Sequence, residues 1–166
     1  MSATTVLRYV LDRSPGDAEE SIPRVARLLF RVMLSGIFII AGLKHVVAPA
    51  EVATRLEAAP MAHLATWIAP AEALVLLAGV ALLVGGLSLL AGFRTRLAAL
   101  VLLVVLVPIT LTVQVGSMST TGPLFKNIGL AGGLLFFAAH GADVWSLDLL
   151  FSRKHVRKDN ASQVAP

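Results

Sequence analysis

Four long apolar stretches constrain this chain more strongly than any other feature of its sequence. They cover approximately Leu28–Val47, Ala69–Ala91, Leu97–Val115 and Leu124–Trp145. The apolar core of a bilayer is about 30 Å thick, and a helix needs roughly 20 residues to cross it. Backbone groups in lipid must be satisfied internally, and the stretches lack the alternation that is typical of a barrel. The sequence therefore predicts an all-α protein, an integral membrane four-helix bundle.

The composition supports lipid as the surrounding solvent. Of the 166 residues, 57% are hydrophobic and 14% are charged, whereas soluble domains average roughly 45–50% and about 25%. The chain has no cysteine, which excludes disulfides, thiolate metal sites and Cys-x-x-Cys redox pairs. Its four histidines are scattered, with no pair at i and i+4. We therefore predict no metal site and no covalently held cofactor.

The segments between the four stretches are short, and only residues 48–68 form a connection of any size. Within it, "AEVATRLEAAP" has helical character, which predicts a short interfacial helix between spans one and two. The beginning of the chain lacks the apolar core of a signal peptide. We expect a polar N-terminal tail over 1–23, a four-helix transmembrane domain over 24–148 and a basic C-terminal tail over 149–166.

Lysine and arginine are distributed unequally between the two sides of the predicted bundle. Eleven of the 14 belong to one side, and only Lys44, Arg55 and Lys126 belong to the other. Because cytoplasmic loops carry an excess of these residues, both termini are predicted to be cytoplasmic. This asymmetry, together with anionic lipid headgroups, explains the sequence pI near 10.1 without a nucleic-acid partner.

Polar residues collect at the predicted outer ends of all four spans. In an antiparallel bundle these four helix ends lie at one level, and they carry Lys44, His45, Glu72, Gln114, Lys126 and Asn127. Each residue has a structural explanation when taken alone, because lysines snorkel towards headgroups and a carboxylate complements the dipole at a helix start. Their common level makes them candidates for ligand binding or proton handling.

Helical phase separates the two polar residues at the end of span one. His45 shares a face with Gly42, Phe38 and Ser35, a stripe of small and polar residues. Lys44 lies about 100° away on the helix, above bulky residues that suit lipid. We therefore expect His45 to face the protein and Lys44 to snorkel.

The same reasoning applies to spans two and four. Glu72 shares a seven-residue stripe with Gly79 and Gly86, and Lys126 shares one with Gly133. Small residues in membrane helices mark close contact between helices. Both charged residues are therefore predicted to face protein.

Two interpretations of the outer polar residues stay open. An inward carboxylate in lipid is costly unless it is paired or protonated, so Glu72 can pair with His45 or Lys126 in a structural polar clasp. Alternatively, the same groups bind a quinone or a small anion, and His45 or Glu72 transfers protons.

The predicted inner side carries a smaller polar group. Asp143 lies near the end of span four, at the level of Arg94 and Arg96 in the turn between spans two and three. An ion pair between Asp143 and one of these arginines is the contact that we expect. No Gly-rich phosphate loop and no nucleophile elbow occurs in the sequence.

Four segments resemble the DoxX-like family of small integral membrane proteins. "RVMLSGIFIIAGLKHVVAP" is similar to the family's first span, and "PAEALVLLAGVALLVGG" to its second, with a glutamate near the start. "GFRTRLAALVLLV" resembles its basic inner turn, and "FKNIGLAGGLLFFAAHGADVWSLD" its last span with a terminal Ser-x-Asp. The resemblance covers about residues 24–148.

The resemblance implies a multi-pass four-helix bundle in a prokaryotic plasma membrane. Members of the family include the small subunit of a thiosulfate:quinone oxidoreductase, and others are linked to oxidative-stress and sulfur-handling complexes. By position, the matching polar residues are Lys44, His45, Glu72, Arg94, Lys126 and Asn127, and no catalytic role is attached to them.

The expected function is that of a membrane subunit in a quinone-linked oxidoreductase or in an oxidative-stress or sulfur-handling complex. A quinone is the candidate cofactor, and the lipid bilayer and other proteins of the complex are the expected partners. The alternative is a non-catalytic scaffold subunit whose polar residues are structural. Transport of a small solute is a weaker alternative, because four helices are too few without oligomerisation. The Gly129–Gly133 G-x-x-x-G pattern suits either a homo-oligomer or packing within one bundle.

Overall fold

The computed structural model describes residues 23–116, 118–142 and 145–148. Six α-helices lie in these ranges, and a 3₁₀ turn, Met118–Thr120, precedes the last of them. The helices are α1 (Arg24–Val47), α2 (Pro49–Glu57), α3 (His63–Thr66), α4 (Ala71–Ala91), α5 (Thr95–Val113) and α6 (Thr121–His140). The described ranges contain no strand, so the all-α prediction is confirmed.

Four helical segments are long and apolar enough to cross a membrane, namely α1, α4, α5 and Met118–His140. The predicted short helix between spans one and two is also present as α2, which has Pro49 at its start, a position that proline favours. The fourth predicted span extends to Trp145, whereas α6 ends at His140. The helix stops there because Gly141 has φ 75° and ψ −162°, a backbone conformation that is essentially restricted to glycine.

The helices run antiparallel, which gives the bundle two distinct ends. We call the end that contains residues 44–72 and 113–127 the outer end, after the predicted orientation. The opposite end, which contains residues 91–96 and 140–148, is the inner end. Spans one to four pack in sequence order. The rings of Phe30 and Phe137 lie 5.3 Å apart and bring α6 against α1, which closes the bundle.

Glycines allow α1 and α4 to approach each other closely. A methyl group on Gly42 would lie 2.8 Å from the backbone nitrogen of Leu83 and 2.9 Å from the carbonyl oxygen of Gly79. A methyl group on Gly79 would in turn meet Cβ of His45 at 2.8 Å. The two backbones are therefore in direct contact, the arrangement that small residues permit in membrane helices.

The core of the bundle is apolar and is built by all four spans. Its buried side chains are Leu34, Phe38, Leu82, Leu89, Ala98, Ala99, Leu102, Leu106, Leu134 and Phe137. Many other large apolar side chains on the same helices are exposed, including Met33, Ile40 and Val104. An apolar outer surface of this extent is what a bilayer-embedded bundle requires, because lipid replaces water around it.

Candidate functional site

An apolar cavity with a few polar groups on its wall lies at the outer end of the bundle. It has a volume of about 610 Å³ and lies between the outer halves of α4 and α5, where α2 and α3 cover it. Its apolar lining includes Val52, Leu56, Leu64, Ile68, Leu74, Val75, Leu77, Ala78, Ala81, Val104, Val105, Pro108, Ile109, Leu111 and Val113. His45, Arg55 and Thr112 supply its polar lining.

The cavity opens to the surface that faces lipid. Leu77 on α4 is 70% exposed and Val104 on α5 is 71% exposed, although both line the cavity. Pro108 also lines it, and because proline has no N–H, the carbonyl oxygen of Val104 lacks its usual helical donor. A hydrophobic molecule in the membrane can therefore enter sideways between the two helices and meet a backbone acceptor.

His45 lies in the position that the sequence predicted for it. Ser35, Phe38 and Gly42 on the same face of α1 are buried, and His45 is half-buried at the end of the stripe. Its Nδ1 lies 2.7 Å from the carbonyl oxygen of Ala41. Since a carbonyl oxygen only accepts hydrogen bonds, Nδ1 donates, and Nε2 is left as the ring atom available to a ligand.

Lys44 is exposed, as the helical phase predicted, but it also has a partner that the sequence did not reveal. Its Nζ lies 3.6 Å from Oε1 of Glu51 on α2, and the same oxygen accepts a 2.7 Å hydrogen bond from Arg55. All three side chains are exposed, so these ion pairs contribute little to stability. Their effect is to orient α2 and to hold the guanidinium of Arg55 beside the cavity.

Two predicted inward residues are in fact exposed. Glu72 lies one residue after the buried Ala71, and Lys126 lies one residue before the buried Asn127. The buried faces of α4 and α6 therefore include the neighbouring residues Ala71 and Asn127 and exclude the two charged residues. The prediction that both face protein is wrong, and within the described part of the chain no hydrogen bond or ion pair joins Glu72 to His45 or Lys126.

Gln114 and Asn127 lie on the α5–α6 side of the outer end, away from the cavity. Asn127 is 5% exposed and donates from Nδ2 to Oγ1 of Thr110 at 2.9 Å. The backbone oxygen of Gln114 accepts a 2.7 Å hydrogen bond from Thr120. The side-chain Oε1 of Gln114 is buried and has no hydrogen-bond partner among the described residues. Of the six outer candidates, His45 is the one that lines the cavity.

At the inner end, Arg94 and Arg96 lie at the start of α5, and the expected partner Asp143 falls outside the described residues. A different carboxylate contacts this turn. Asp148 accepts hydrogen bonds from the backbone nitrogens of Arg94 and Thr95 at 2.7 and 3.0 Å, and from Thr95 Oγ1 at 3.1 Å. Asp148 therefore caps α5 across a separation of more than 50 residues.

Sequence reasoning missed three residues that contribute to these arrangements: Asp148, Arg55 and Arg31. Arg31 is only 3% exposed and donates from Nη2 to the carbonyl oxygen of Trp145 at 2.8 Å. A signal for it exists, because Arg31 precedes Ser35 by four residues and continues the buried stripe of α1 by one turn. Arg55 has a local signal in Glu51, four residues before it, and Asp148 is the aspartate of the terminal Ser-x-Asp, but neither signal reveals the distant segment that each residue lies beside.

No group of three or more His, Asp or Glu side chains in the described ranges lies close enough to hold a metal ion. At the cavity, Arg55 has N–H donors for a ligand that accepts hydrogen bonds at one end, and Nε2 of His45 accepts a hydrogen bond when the ring is neutral and donates one when it is protonated. Such a ligand has an apolar body that the remaining lining can surround.

The fold and the exposed apolar helix surfaces define the chain as a multi-pass membrane protein. The DoxX family model matches residues 26–115, more than half of the chain, and the protein belongs to the DoxX family. The matched region runs from the third residue of α1 past the end of α5 and includes every lining residue of the cavity. Neither the curated proteins nor the solved structures compared with the chain gave a match.

Proposed function

We propose that the protein is a membrane subunit of a quinone-linked oxidoreductase or of an oxidative-stress or sulfur-handling complex, and that its outer cavity binds the quinone. The observation that carries the proposal is the placement of His45 and Arg55 on the lining of an otherwise apolar cavity of about 610 Å³. Pockets for small organic ligands commonly have about 300–1,000 Å³ and combine apolar walls with a few polar groups.

A quinone has the two chemical parts that this cavity accommodates. Its ring carbonyls accept hydrogen bonds, which Nε2 of a protonated His45 and the free N–H groups of Arg55 can donate. Arg55 uses one contact for Glu51 and retains further donors, since a guanidinium has five N–H groups. The isoprenoid tail fits the opening beside Leu77 and Val104, which leads into lipid.

In this proposal the chain contributes the quinone site, and the redox centre belongs to a partner protein. Reduction of a quinone to the quinol takes two electrons and two protons. In this proposal a partner protein supplies the electrons, and His45 at the cavity transfers protons from the outer side. The localisation that accompanies the proposal is a prokaryotic plasma membrane with both termini in the cytoplasm.

The test measures quinone binding by the quenching of tryptophan fluorescence. The chain has two tryptophans, and Trp67 on the outer end directly precedes the lining residue Ile68. A Trp145→Phe background leaves Trp67 as the only reporter. Titration with a short-chain ubiquinone analogue should quench Trp67 saturably. His45→Ala and Ala78→Phe, which remove a donor and fill the cavity, should each weaken binding by about tenfold.

Two control variants keep this test specific. Leu87→Phe places the same phenylalanine side chain on the exposed surface of α4 outside the cavity, and Glu72→Gln removes an outer charge that does not line it. Both should bind the quinone as the unchanged protein does. Equal affinity in all four variants, or no saturable quenching, would exclude the cavity as a quinone site.

The assignment to a complex is tested separately by gentle extraction from the native membrane. Co-purifying proteins are identified, and quinone reduction is measured with and without them in proteoliposomes. Reduction that needs a co-purifying redox protein and is weakened by Ala78→Phe supports the proposal. Reduction that is unaffected by Ala78→Phe contradicts it.

A non-catalytic scaffold subunit is the second candidate, and the polar contacts of the bundle favour it. The Asn127–Thr110 hydrogen bond and the Lys44–Glu51 and Glu51–Arg55 contacts all connect helices or orient them. A scaffold predicts that His45→Ala and Ala78→Phe change melting temperature or yield and leave every quinone-dependent signal unchanged.

A further inference from the structure

The inner end of the bundle contains a second cleft, separate from the outer cavity. It has a volume of about 400 Å³ and is lined by Arg94, Arg96, Leu97, His140, Gly141, Ala142 and Asp148. Two arginines and a histidine from two different spans therefore line one concave surface. The cleft shares no lining residue with the outer cavity, so its role is independent of the proposed quinone site.

The two guanidinium groups are not engaged by carboxylates within the described part of the chain. Arg96 packs against Gly141, where a methyl group would lie 3.4 Å from its Nε. The guanidinium carbon of Arg94 lies 5.9 Å from the ring centroid of Phe93. Both side chains are held by apolar and backbone neighbours, so their N–H donors remain available to a ligand in the cleft.

The cleft lining also contains one acidic residue, Asp148, and a histidine. Both carboxylate oxygens of Asp148 accept hydrogen bonds from the first turn of α5, so the backbone N–H groups of that turn compensate its negative charge. The ring of His140 stacks on Phe136 at 4.6 Å between centroids, and its Nδ1 lies 3.0 Å from the carbonyl oxygen of Phe136. Nδ1 therefore donates to this carbonyl, which fixes the ring and leaves Nε2 on the opposite edge.

An apolar groove adjoins the cleft and shares two residues with it. The groove has a volume of about 190 Å³, lies between α4 and α5, and is lined by Ala81, Val84, Gly85, Ser88, Phe93, Arg94, Leu97, Ala98 and Val101. Arg94 and Leu97 belong to both the groove and the cleft. A basic cleft at the end of the spans thus continues into an apolar channel towards the middle of the bundle.

We infer that the inner cleft binds the phosphate group of an anionic phospholipid and that the groove takes one of its acyl chains. Arginines bind phosphate oxygens through paired N–H donors, and basic pockets between helices on the cytoplasmic side are suited to anionic headgroups. A phospholipid and free phosphate both offer a phosphate group that the two guanidinium groups can bind. The adjoining groove favours a lipid over free phosphate, because only a lipid occupies both parts.

The experiment titrates the full chain in neutral detergent with phosphatidylglycerol, and separately with phosphatidylcholine and with inorganic phosphate. Native mass spectrometry counts bound lipids, and calorimetry follows phosphate. The unchanged protein should bind phosphatidylglycerol at least about fivefold more tightly than phosphatidylcholine. Arg96→Gln should weaken phosphatidylglycerol binding by about tenfold, whereas Arg96→Lys should retain most of it.

Matched variants separate the headgroup site from the groove. Val84→Trp narrows the groove and should weaken phosphatidylglycerol without altering phosphate binding, whereas Leu87→Trp on the exposed surface outside it should change neither. Arg24→Gln removes an exposed charge at the same end and should have no effect. Melting temperatures and circular dichroism confirm that each variant is folded.

The results decide between two sources of the same phosphate chemistry. Loss of phosphatidylglycerol binding in both Arg96→Gln and Val84→Trp supports the lipid. Phosphate binding that Arg96→Gln abolishes, with no effect of Val84→Trp on either ligand, overturns the lipid assignment in favour of free phosphate. Equal binding by Arg96→Gln and Arg24→Gln overturns the site itself.

Discussion

Asn127 donates a 2.9 Å hydrogen bond from Nδ2 to Oγ1 of Thr110 and so joins α6 to α5 near the outer end of the bundle. Thr110 donates its own proton to the carbonyl oxygen of Leu106 at 2.7 Å, which completes a chain of two hydrogen bonds. Asn127 is buried, whereas Lys126 beside it is exposed. Of two neighbouring polar residues, only the amide connects helices.

Replacement of Asn127 by alanine should lower the free energy of unfolding by about 1 kcal/mol, because interhelical hydrogen bonds in membrane proteins contribute roughly 0.6–2 kcal/mol. Lys126→Ala should change it by less than about 0.5 kcal/mol, as is usual for exposed sites. Unfolding by a denaturing detergent in mixed micelles measures both values. Equal losses for the two variants would show that the Asn127–Thr110 contact does not stabilise the bundle.

The spans and the inward face of α1 could be predicted because each depends on local sequence. Hydropathy summed over about 20 residues reports burial in lipid without knowledge of neighbouring helices. The stripe of Ser35, Phe38 and Gly42 also lies along a single helix, and its residues are buried. Arg31 belongs to the same stripe, so its burial could also be predicted from the sequence.

The misplacement of Glu72 has a geometric cause. A seven-residue spacing from Gly79 predicts that Glu72 is on the buried face, whereas the buried face of α4 continues from Gly79 through Val75 to Ala71 at a spacing of four. Helices that cross at an angle contact each other along such four-residue ridges. Each four-residue step turns the face by about 40°, and at the start of the helix Glu72 lies about 100° from Ala71.

The cavity could not be predicted from any one segment. Its walls come from α4 and α5, its cover from α2 and α3, and its polar lining from His45, Arg55 and Thr112. A concave surface depends on the distances between these elements, which hydropathy and helical phase do not contain. The same limit applies to Asp148, whose role depends on the proximity of the chain after α6 to the start of α5.

Gly42 and Gly36 provide a matched pair of substitutions on α1. Gly42→Ala should destabilise the bundle by about 2 kcal/mol or more, because the new methyl group would overlap the backbone of α4. Gly36→Ala meets no atom within 4 Å and should be neutral or slightly stabilising, since alanine favours the helix. The difference in unfolding free energy between these variants measures the α1–α4 contact. Equal stabilities would mean that the two helices do not approach so closely.

Asp148 contacts the start of α5 and Glu72 lies near the start of α4, and the two acidic residues should respond differently to neutralisation. Asp148→Ala removes a side chain that accepts three hydrogen bonds from the first turn of α5 and should cost about 1–2 kcal/mol. Glu72→Gln should cost less than about 0.5 kcal/mol, because α4 has no side-chain cap hydrogen bond to lose. Amide hydrogen exchange at Arg94 and Thr95 should accelerate only in Asp148→Ala. Unchanged exchange there would contradict the proposed cap.

Arg31 should be more sensitive to replacement than any exposed arginine at the inner end. Its buried guanidinium donates to the carbonyl oxygen of Trp145, and this contact holds the chain that follows α6 against α1. Arg31→Met keeps the apolar stem and leaves that carbonyl without this donor, which should cost about 2–3 kcal/mol. Arg24→Met, at an exposed position, should change the unfolding free energy by less than about 0.5 kcal/mol. The fluorescence of Trp145, recorded in a Trp67→Phe background, should shift in Arg31→Met and not in Arg24→Met. An unchanged spectrum with unchanged stability in Arg31→Met would show that the Arg31–Trp145 contact does not stabilise the inner end.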